Sequence, residues 1–337
     1  MNQQYQEERA ALVLKAAGVT DAETARYEPL AGGTYNTVVR VTLPDGRQWV
    51  VKIPPPSDTP GLSYERELLR GEAVFYTAAA TAGDVPVPEV VHSDFDGTTT
   101  PDPYLIMTGR PGSPWHEAAE TLPDEERRRL RERLGHLVAT LHTVTGPGFG
   151  YPAEPLGPLA ATWRQAFTAM TEAVLGDAER YQAWLPVPLA RIRELFTAAS
   201  DVLDEVSRPA LVHFDLWQGN LLLDSEAGTR TLSGIIDGER MFWGDPVADF
   251  VSLALFANIE EDADFLAGYA AGGGSAVFDA SVRRRLALYR GYLYLIMLVE
   301  VVPRDCPAEE RLWARRAVGP QLVAALRELE SAVGERG

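Results

Sequence analysis

The sequence of 337 residues predicts an α+β fold of two unequal lobes, and three observations support this prediction. Residues 36–43 and 48–53 are two runs rich in β-formers on either side of a Pro-Asp-Gly turn, a pattern typical of an antiparallel hairpin. Residues 109–112, Gly-Arg-Pro-Gly, interrupt regular structure. Beyond them, long segments favour helices. We therefore expect a small antiparallel-sheet lobe followed by a larger, mainly helical lobe.

The spacing of apolar residues and the positions of Gly and Pro predict the elements of the first lobe and their order. They are a helix over 4–17, the hairpin, a helix over 64–80, and strands at 90–91 and 104–107. We expect this lobe to cover residues 1–107. Residues 108–114 are the predicted hinge.

The second lobe is predicted to span 115–337 and to contain three helical regions. The clearest helix follows Pro123 and Asp124, with leucines at helical spacing from Leu130 to Leu141. The other helical regions are 160–206 and 279–333. Short strands are predicted between them at 211–212, 220–223 and 232–236.

Composition excludes several classes of protein. Lys and Arg number 31 against 48 Asp and Glu, a net charge of −17, which argues against sequence-independent binding of nucleic acid or anionic membranes. The acidic start lacks the features of a secretory signal, and the apolar stretch 292–302 is too short to span a membrane. The single cysteine, Cys306, lacks thiol-activating neighbours and is expected to be inert. We expect a cytoplasmic protein that is a monomer or a weak homodimer.

The segment from His213 to Asp249 carries the chemistry. Asp215, Asn220 and Asp237 supply two carboxylates and a carboxamide, each just outside an apolar run. Phosphoryl transfer needs a group that orients a hydroxyl and hard oxygen ligands for Mg²⁺ on a nucleoside triphosphate. The segment therefore predicts a phosphotransferase.

The same residues resemble the aminoglycoside-phosphotransferase-like small-molecule kinases, relatives of the protein kinases. His213-Phe-Asp215 through Asn220 matches the HxDxxxxN pattern, and Leu-Trp-Gln-Gly-Asn is also similar to the fructosamine kinases. The resemblance implies a protein-kinase-like two-lobed fold, with Asp215 as catalytic base and Asn220 and Asp237 as Mg²⁺ ligands. Gly238 follows Asp237, so the phenylalanine of the protein-kinase DFG motif is absent.

Three further residues of this segment are assigned supporting roles. Such a histidine as His213 more often orients a backbone group or the aspartate than carries protons. By resemblance, Asp245 and Asp249, in Gly-Asp-Pro-Val-Ala-Asp, are structural aspartates that brace the catalytic loop.

A kinase also needs a nucleotide site in the first lobe. Lys52, in the apolar strand Trp-Val-Val-Lys-Ile, resembles the phosphate-binding lysine, and a buried ammonium needs a partner. We favour Glu72 as that partner, with Glu65 and Glu67 as alternatives. The remaining predicted nucleotide contacts lie between the first strands and at the hinge: Gly32, Gly33, Thr34, Met107 and Gly109. The hinge contacts use backbone groups, so the choice between ATP and GTP stays open.

The sequence carries a weaker signal for the acceptor site than for the nucleotide site. Candidate lining residues are aromatic or acidic, although aromatics at helical spacing also suit a core and an acidic run also suits a helix start: Trp163, Trp184, Glu260, Tyr289 and Tyr292. Net acidity favours a cationic or neutral polyol as the small-molecule acceptor. We expect a kinase that inactivates an antibiotic such as an aminoglycoside or nucleoside. The alternatives are a kinase of an amino sugar, fructosamine or other metabolite, and, from another class, a nucleotide-binding pseudokinase.

Overall fold

The computed structural model describes residues 3–30, 36–100, 102–226 and 228–334, and its elements follow the predicted order. The strands are β1 (Arg26–Pro29), β2 (Thr37–Thr42), β3 (Gln48–Ile53), β4 (Val90–Asp94), β5 (Tyr104–Thr108), β6 (Ser113–Pro114), β7 (Ala210–Val212), β8 (Leu221–Glu226), β9 (Thr229–Ile235) and β10 (Phe242–Gly244). The helices are α1 (Gln3–Ala16), α2 (Leu68–Ala79), α3 (Trp115–Ala118), α4 (Asp124–Leu141), α5 (Trp163–Arg180), α6 (Leu189–Ala199), α7 (Asp249–Leu253), α8 (Ala263–Ala271), α9 (Ala280–Val299), α10 (Ala308–Trp313) and α11 (Gly319–Gly334).

An antiparallel sheet with the order β1-β2-β3-β5-β4 forms the N-terminal part. The predicted hairpin is its centre, and Lys52 on β3 lies opposite Val38 on β2 and Leu105 on β5. Strand β1 was not predicted, because four residues at an edge are too few to give a periodic pattern.

The two faces of this sheet have different coverings. Val51 and Ile53 point to the face that α1 covers with Val13 and Leu14, and all four are buried. Successive side chains of a strand alternate between faces, so Lys52 points the other way, toward α2. The hairpin thus gives one strand both an apolar face and a charged one.

Helix α2 begins later than predicted. Residues 63–65 form a 3₁₀ turn, and Glu67 adopts a left-handed conformation with φ 61°, so the α-helix starts at Leu68 rather than at residue 64. The turn is fixed to α5, because Asp177 accepts hydrogen bonds from Ser63 N at 2.6 Å and Ser63 Oγ at 2.7 Å. The turn before α2 is therefore held in place by the helical part of the chain.

The helical part surrounds α9, most of whose side chains are buried. Helices α4 and α8 approach so closely that a Cβ at Gly268 would lie 1.8 Å from the carbonyl oxygen of Glu132. Two small sheets, β7-β10 and β6-β8-β9, hold the segments on either side of Asp215. The α+β prediction is confirmed. In the described ranges, every helix is too short or too polar to cross a bilayer.

Candidate active site

Lys52 connects three distant segments of the chain. Its Nζ donates to both carboxylate oxygens of Glu72, at 2.8 and 2.9 Å, and to Oδ1 of Asp237 at 2.6 Å. Lys52 is 7% exposed and Glu72 is fully buried, whereas the Asp237 side chain is 38% exposed. The predicted Lys52–Glu72 ion pair is therefore present. Asp237 is the partner of Lys52 that solvent can reach.

Tyr76 ties the lysine's partners together. Its hydroxyl donates to Glu72 Oε1 at 2.6 Å and accepts from the backbone N–H of Asp237 at 3.0 Å. Burial raises the pKa of this hydroxyl well above its ordinary value, so it keeps its proton and donates. For Asp237, burial opposes ionisation, but the Lys52 ammonium outweighs it and lowers the pKa of the carboxyl. Asp237 is therefore held as an anion.

The segment around Asp215 is held by hydrogen bonds to its own backbone. His213 Nε2 lies 2.9 Å from the carbonyl oxygen of Ile236, which can only accept, so Nε2 carries the proton. Nδ1 is then free to accept from the N–H of Asp215 at 3.2 Å. Asn220 Nδ2 donates to the carbonyl oxygen of Asp215 at 2.8 Å. His213 thus orients the loop, while the carboxamide oxygen of Asn220 binds no donor among the described residues.

Asp249 supports the same loop from beneath. It is fully buried and accepts from the N–H groups of His213 at 3.2 Å and Phe214 at 2.6 Å. His142 Nε2 lies 2.9 Å from Oδ2, the oxygen that accepts from His213, and the Tyr269 hydroxyl lies 2.8 Å from His142 Nδ1. This buried network holds Phe214 in a left-handed conformation, with φ 64°.

Asp245 makes a second brace, farther along the chain. It accepts from Val247 N at 3.1 Å, from Arg285 at 2.6 Å and from the Tyr289 hydroxyl at 2.7 Å. Trp163 Nε1 donates to that hydroxyl at 2.7 Å. Asp245 therefore anchors α9 beside the segment from His213 to Asn220, which carries Asp215 and is called the catalytic loop below.

Three carboxylates cluster around the ammonium of Lys52. One oxygen from each of Glu72, Asp237 and Glu239 lies within 4.8 Å of the others. Burial and the neighbouring carboxylate of Asp237 raise the pKa of Glu239 to about 8. Asn36 donates to Glu239 Oε2 at 2.8 Å, and its own buried Oδ1 has no hydrogen-bond partner. A carboxylate excess over a single ammonium, with an orphaned amide oxygen beside it, fits a hard divalent cation such as Mg²⁺.

The carboxylate of Asp215 faces one cation. Arg240 Nε lies 3.8 Å from its Oδ2, and the Asp215 side chain is 23% exposed. Burial raises the pKa of Asp215, and Arg240 opposes the shift. The sequence prediction missed Glu239 and Arg240. Both directly follow Asp237 and Gly238, so a charged pair beside a predicted metal ligand was the available signal.

The predicted base contacts Met107 and Gly109 lie on β5 and directly after it. Met107 is buried on β5, opposite Val50 and Val90 of the two neighbouring strands. The N–H of Gly109 donates to the carbonyl oxygen of Gln48 at 2.7 Å, so this donor is already used within the protein. The predicted phosphate-covering residues 32–34 lie outside the described residues.

Three predicted acceptor residues belong to the core instead. Trp163, Tyr289 and Tyr292 are fully buried, and the Tyr292 hydroxyl lies 2.7 Å from that of Tyr151. The prediction that they line an acceptor site is wrong in this structure, because they present no surface to a ligand. Their helical spacing fitted a core and a pocket equally well.

The two remaining candidates lie against other helices. Glu260 is held by two hydrogen bonds from Arg283, at 2.9 and 2.7 Å, beside a cavity of about 220 Å³. Trp184 is 39% exposed, with the Arg315 guanidinium 5.5 Å from its ring. An aromatic residue that the sequence prediction did not select is Trp217, which follows Asp215 on the catalytic loop and is 42% exposed.

The chain is similar to known phosphotransferases and kinases. The model of the phosphotransferase enzyme family matches residues 26–289. Viomycin phosphotransferase of Streptomyces vinaceus is 29% identical over 160 residues, which are 47% of this chain and 51% of that protein. The chain therefore spans about half the length of this relative.

Two other similarities cover more of the chain. A probable ketoamine kinase of Lactiplantibacillus plantarum is 26% identical over 298 residues, 85% of this chain and 92% of that protein. The structure of a thermostable mutant of aminoglycoside phosphotransferase APH(4)-Ia, with AMP-PNP and hygromycin B, superposes with a TM-score of 0.58. It shares 19% identity and covers 94% of this chain and 97% of its own. The predicted protein-kinase-like fold is confirmed, and the chain belongs to the phosphotransferase enzyme family.

Proposed function

We propose that this protein transfers the γ-phosphoryl group of ATP or GTP to a hydroxyl of a small molecule. The observation that carries the proposal is Lys52, whose ammonium contacts both Glu72 and Asp237 and so joins a strand, a helix and the loop after β9. A pseudokinase needs neither a base nor a full set of oxygen ligands. The presence of Asp215 and Asn220 in a chain whose Asp237 contacts this lysine therefore favours a catalyst.

Each residue has a proposed role. Asp215 orients the acceptor hydroxyl and takes its proton, since its carboxylate is the partly exposed acid of the catalytic loop. Asn220 and Asp237 hold Mg²⁺, and Glu239 offers a further carboxylate. When bound, the metal neutralises charge on the phosphates. His213, Asp245 and Asp249 keep the loop in place.

The nucleotide is proposed to bind between the N-terminal sheet and the helical part. We assign residues 1–107 to the nucleotide-binding lobe, 108–114 to the hinge and 115–337 to the lobe with the acceptor site. Lys52 contacts the phosphates in this arrangement, and Glu72 holds its ammonium in place. The hinge backbone contacts the base, with the N–H of Gly109 excluded because Gln48 already accepts it.

For the acceptor, we propose an antibiotic hydroxyl, as the viomycin and aminoglycoside phosphotransferases among the relatives suggest. A ketoamine or amino-sugar metabolite is the second candidate, because the match to the ketoamine kinase covers 92% of that protein. Glu300, whose partner Arg240 faces Asp215, is already paired with arginines, so its carboxylate is not available to a cationic acceptor.

The test is a panel of antibiotics, ketoamines and amino sugars, each offered with ATP and with GTP in the presence of Mg²⁺. Acceptor-dependent release of ADP or GDP is expected for at least one pair. Asp215→Asn should then lower turnover by about 10²–10⁴-fold while nucleotide affinity stays within about threefold. Near-normal turnover of that variant would remove Asp215 as the base. The absence of any acceptor-dependent release, with nucleotide still bound, would favour the pseudokinase.

A further inference from the structure

A chain of alternating charges runs from Asp215 to the turn before α2. Arg240 lies 3.8 Å from Asp215 through Nε and 2.9 Å from Glu300 Oε2 through Nη2. Glu300 also pairs with Arg304 at 3.2 Å, and Arg304 pairs with Glu65. These contacts join the catalytic loop, the end of α9 and the segment before α2, which lie far apart in sequence.

The members of this chain are mostly withdrawn from solvent. The side chains of Arg240, Glu300 and Arg304 are 13–15% exposed, and that of Glu65 is 1% exposed. At such positions the attraction between opposite charges is only weakly screened, and loss of one partner leaves the other charge buried and unpaired. The position of each charge is therefore set by its neighbours in the chain.

Glu300 is the link between the two arginines, and it has a rigid support. It ends α9, whose Tyr289 and Tyr292 are locked in the core by hydrogen bonds. At the far end of the chain, Glu65 Oε2 accepts from the backbone N–H of Leu62 at 2.7 Å. That contact closes the turn before α2, the helix that carries the lysine's partner Glu72.

We propose that Glu300 is a positioning residue, which holds Arg240 in place and thereby fixes the carboxylate of Asp215 relative to α2. It acts through Arg240 and does not contact the reacting groups. The proposal rests on the proposed function, because it requires Asp215 to act on the acceptor hydroxyl. Glu65, a possible partner of Lys52 by sequence, faces Arg304 instead.

Glu300→Gln tests the proposal, since it keeps the shape of the side chain and removes its charge. With the acceptor identified by the panel, we expect kcat to fall at least about tenfold while KM for the nucleotide changes less than about threefold. Glu300→Asp restores the charge and should recover part of kcat. The matched control is Glu328→Gln on α11, whose partner Arg290 is 2.5 Å away. It removes an Arg–Glu contact elsewhere and should leave turnover unchanged.

A second measurement separates positioning from a general loss of stability. In the Asp215→Asn background, Glu300→Gln should cause no further loss, because the carboxylate that it positions is already gone. Equal losses in both backgrounds, or an unchanged kcat in Glu300→Gln, would overturn the proposal. Failure of the proposed base gives a different result, namely normal turnover of Asp215→Asn itself.

If Glu300→Gln does not fold, Arg304→Gln provides the same test one contact farther from Asp215. It leaves the Arg240–Glu300 pair intact, so a smaller loss of kcat, about threefold, is expected, and it should again vanish in the Asp215→Asn background. A loss in Arg304→Gln that persists in that background would overturn the proposal.

Discussion

The two faces of strand β3 place neighbouring residues under opposite demands. On one face, Val51 and Ile53 are fully buried against α1 in an apolar cluster. On the other, Lys52 is nearly as buried, yet it lies among the carboxylates of Glu72 and Asp237. Apolar burial is favourable by itself, whereas a buried ammonium is tolerated only with its partners in place. We therefore expect the outer face, toward α1, to serve stability, and the inner face, toward α2, to serve the proposed chemistry at a cost in stability.

The largest expected effect comes from Lys52→Met, which replaces the charged side chain by an apolar one of similar length. We expect turnover to fall by at least about 100-fold, because the contact to the phosphates is lost. Stability should also fall, by about 3–5 kcal/mol, because the carboxylates of Glu72 and Asp237 lose the ammonium that neutralises them; urea denaturation measures this loss, and turnover is compared per folded molecule. Near-normal turnover per folded molecule would show that the inner face, like the outer one, serves mainly stability.

Glu72→Gln is expected to lower turnover about 10- to 100-fold, because the lysine then loses its anionic partner on α2. A double-mutant cycle with Lys52→Met should show strong coupling, with the double variant little worse than Lys52→Met alone. Glu67→Gln is the matched control, since Glu67 lies at the start of the same helix and pairs with Arg70 on the surface. Additive losses would argue against Glu72 as the functional partner.

On the outer face, Val51→Ala should destabilise the protein without changing the chemistry. The side chain is fully buried, so removing its two methyl groups should cost about 1–3 kcal/mol in the free energy of unfolding. Urea denaturation measures this loss, and turnover per folded molecule should remain within about twofold of wild type. A large fall in turnover would show that the two faces are not separable.

The smallest loss of stability is expected from Tyr76→Phe on the inner face. The change removes the hydroxyl between Glu72 and the N–H of Asp237, while the ring stays packed. We expect a loss of about 1–2 kcal/mol in stability and a fall in turnover of only a few-fold. Unfolding and steady-state assays of the same preparation check both numbers. A fall as large as that of Glu72→Gln would make the hydroxyl as important to the lysine as its anionic partner.

Local patterns predicted the hairpin and the long helices, because the residues that form strand alternation or helical spacing lie within a few positions of each other in sequence. The Lys52–Glu72 pair was predicted from the resemblance to the small-molecule kinases. The segment from His213 to Asp249 was predictable because its groups follow one another along the chain. Glu300 carried no such signal, since its contact with Arg240 joins residues 60 apart in sequence. The aromatic residues of α9 were misassigned because the same periodicity describes a core and a pocket wall.

The late start of α2 also had no sequence signal. Residues 63–65 have ordinary helix formers around them, but their conformation depends on Asp177 of α5, which accepts from Ser63. Tertiary contacts of this kind override local propensity. Sequence alone therefore located the helix and its buried Glu72, but not the turn that orients it.

The reach of Lys52 has a consequence for synthesis. The apolar cluster around Val51 is built from residues 10–106, so its parts are available early during translation. Asp237 is 185 residues beyond Lys52, and at about 5–20 residues per second the ribosome needs about 10–40 s more to supply it. During that interval the ammonium has only Glu72 to neutralise it, and the turn before α2 also lacks Arg304, which lies 239 residues beyond Glu65. The apolar face of the nascent sheet can therefore pack first. The contacts of Lys52 on the other face are complete only after the segment that contains Asp237 has left the ribosome.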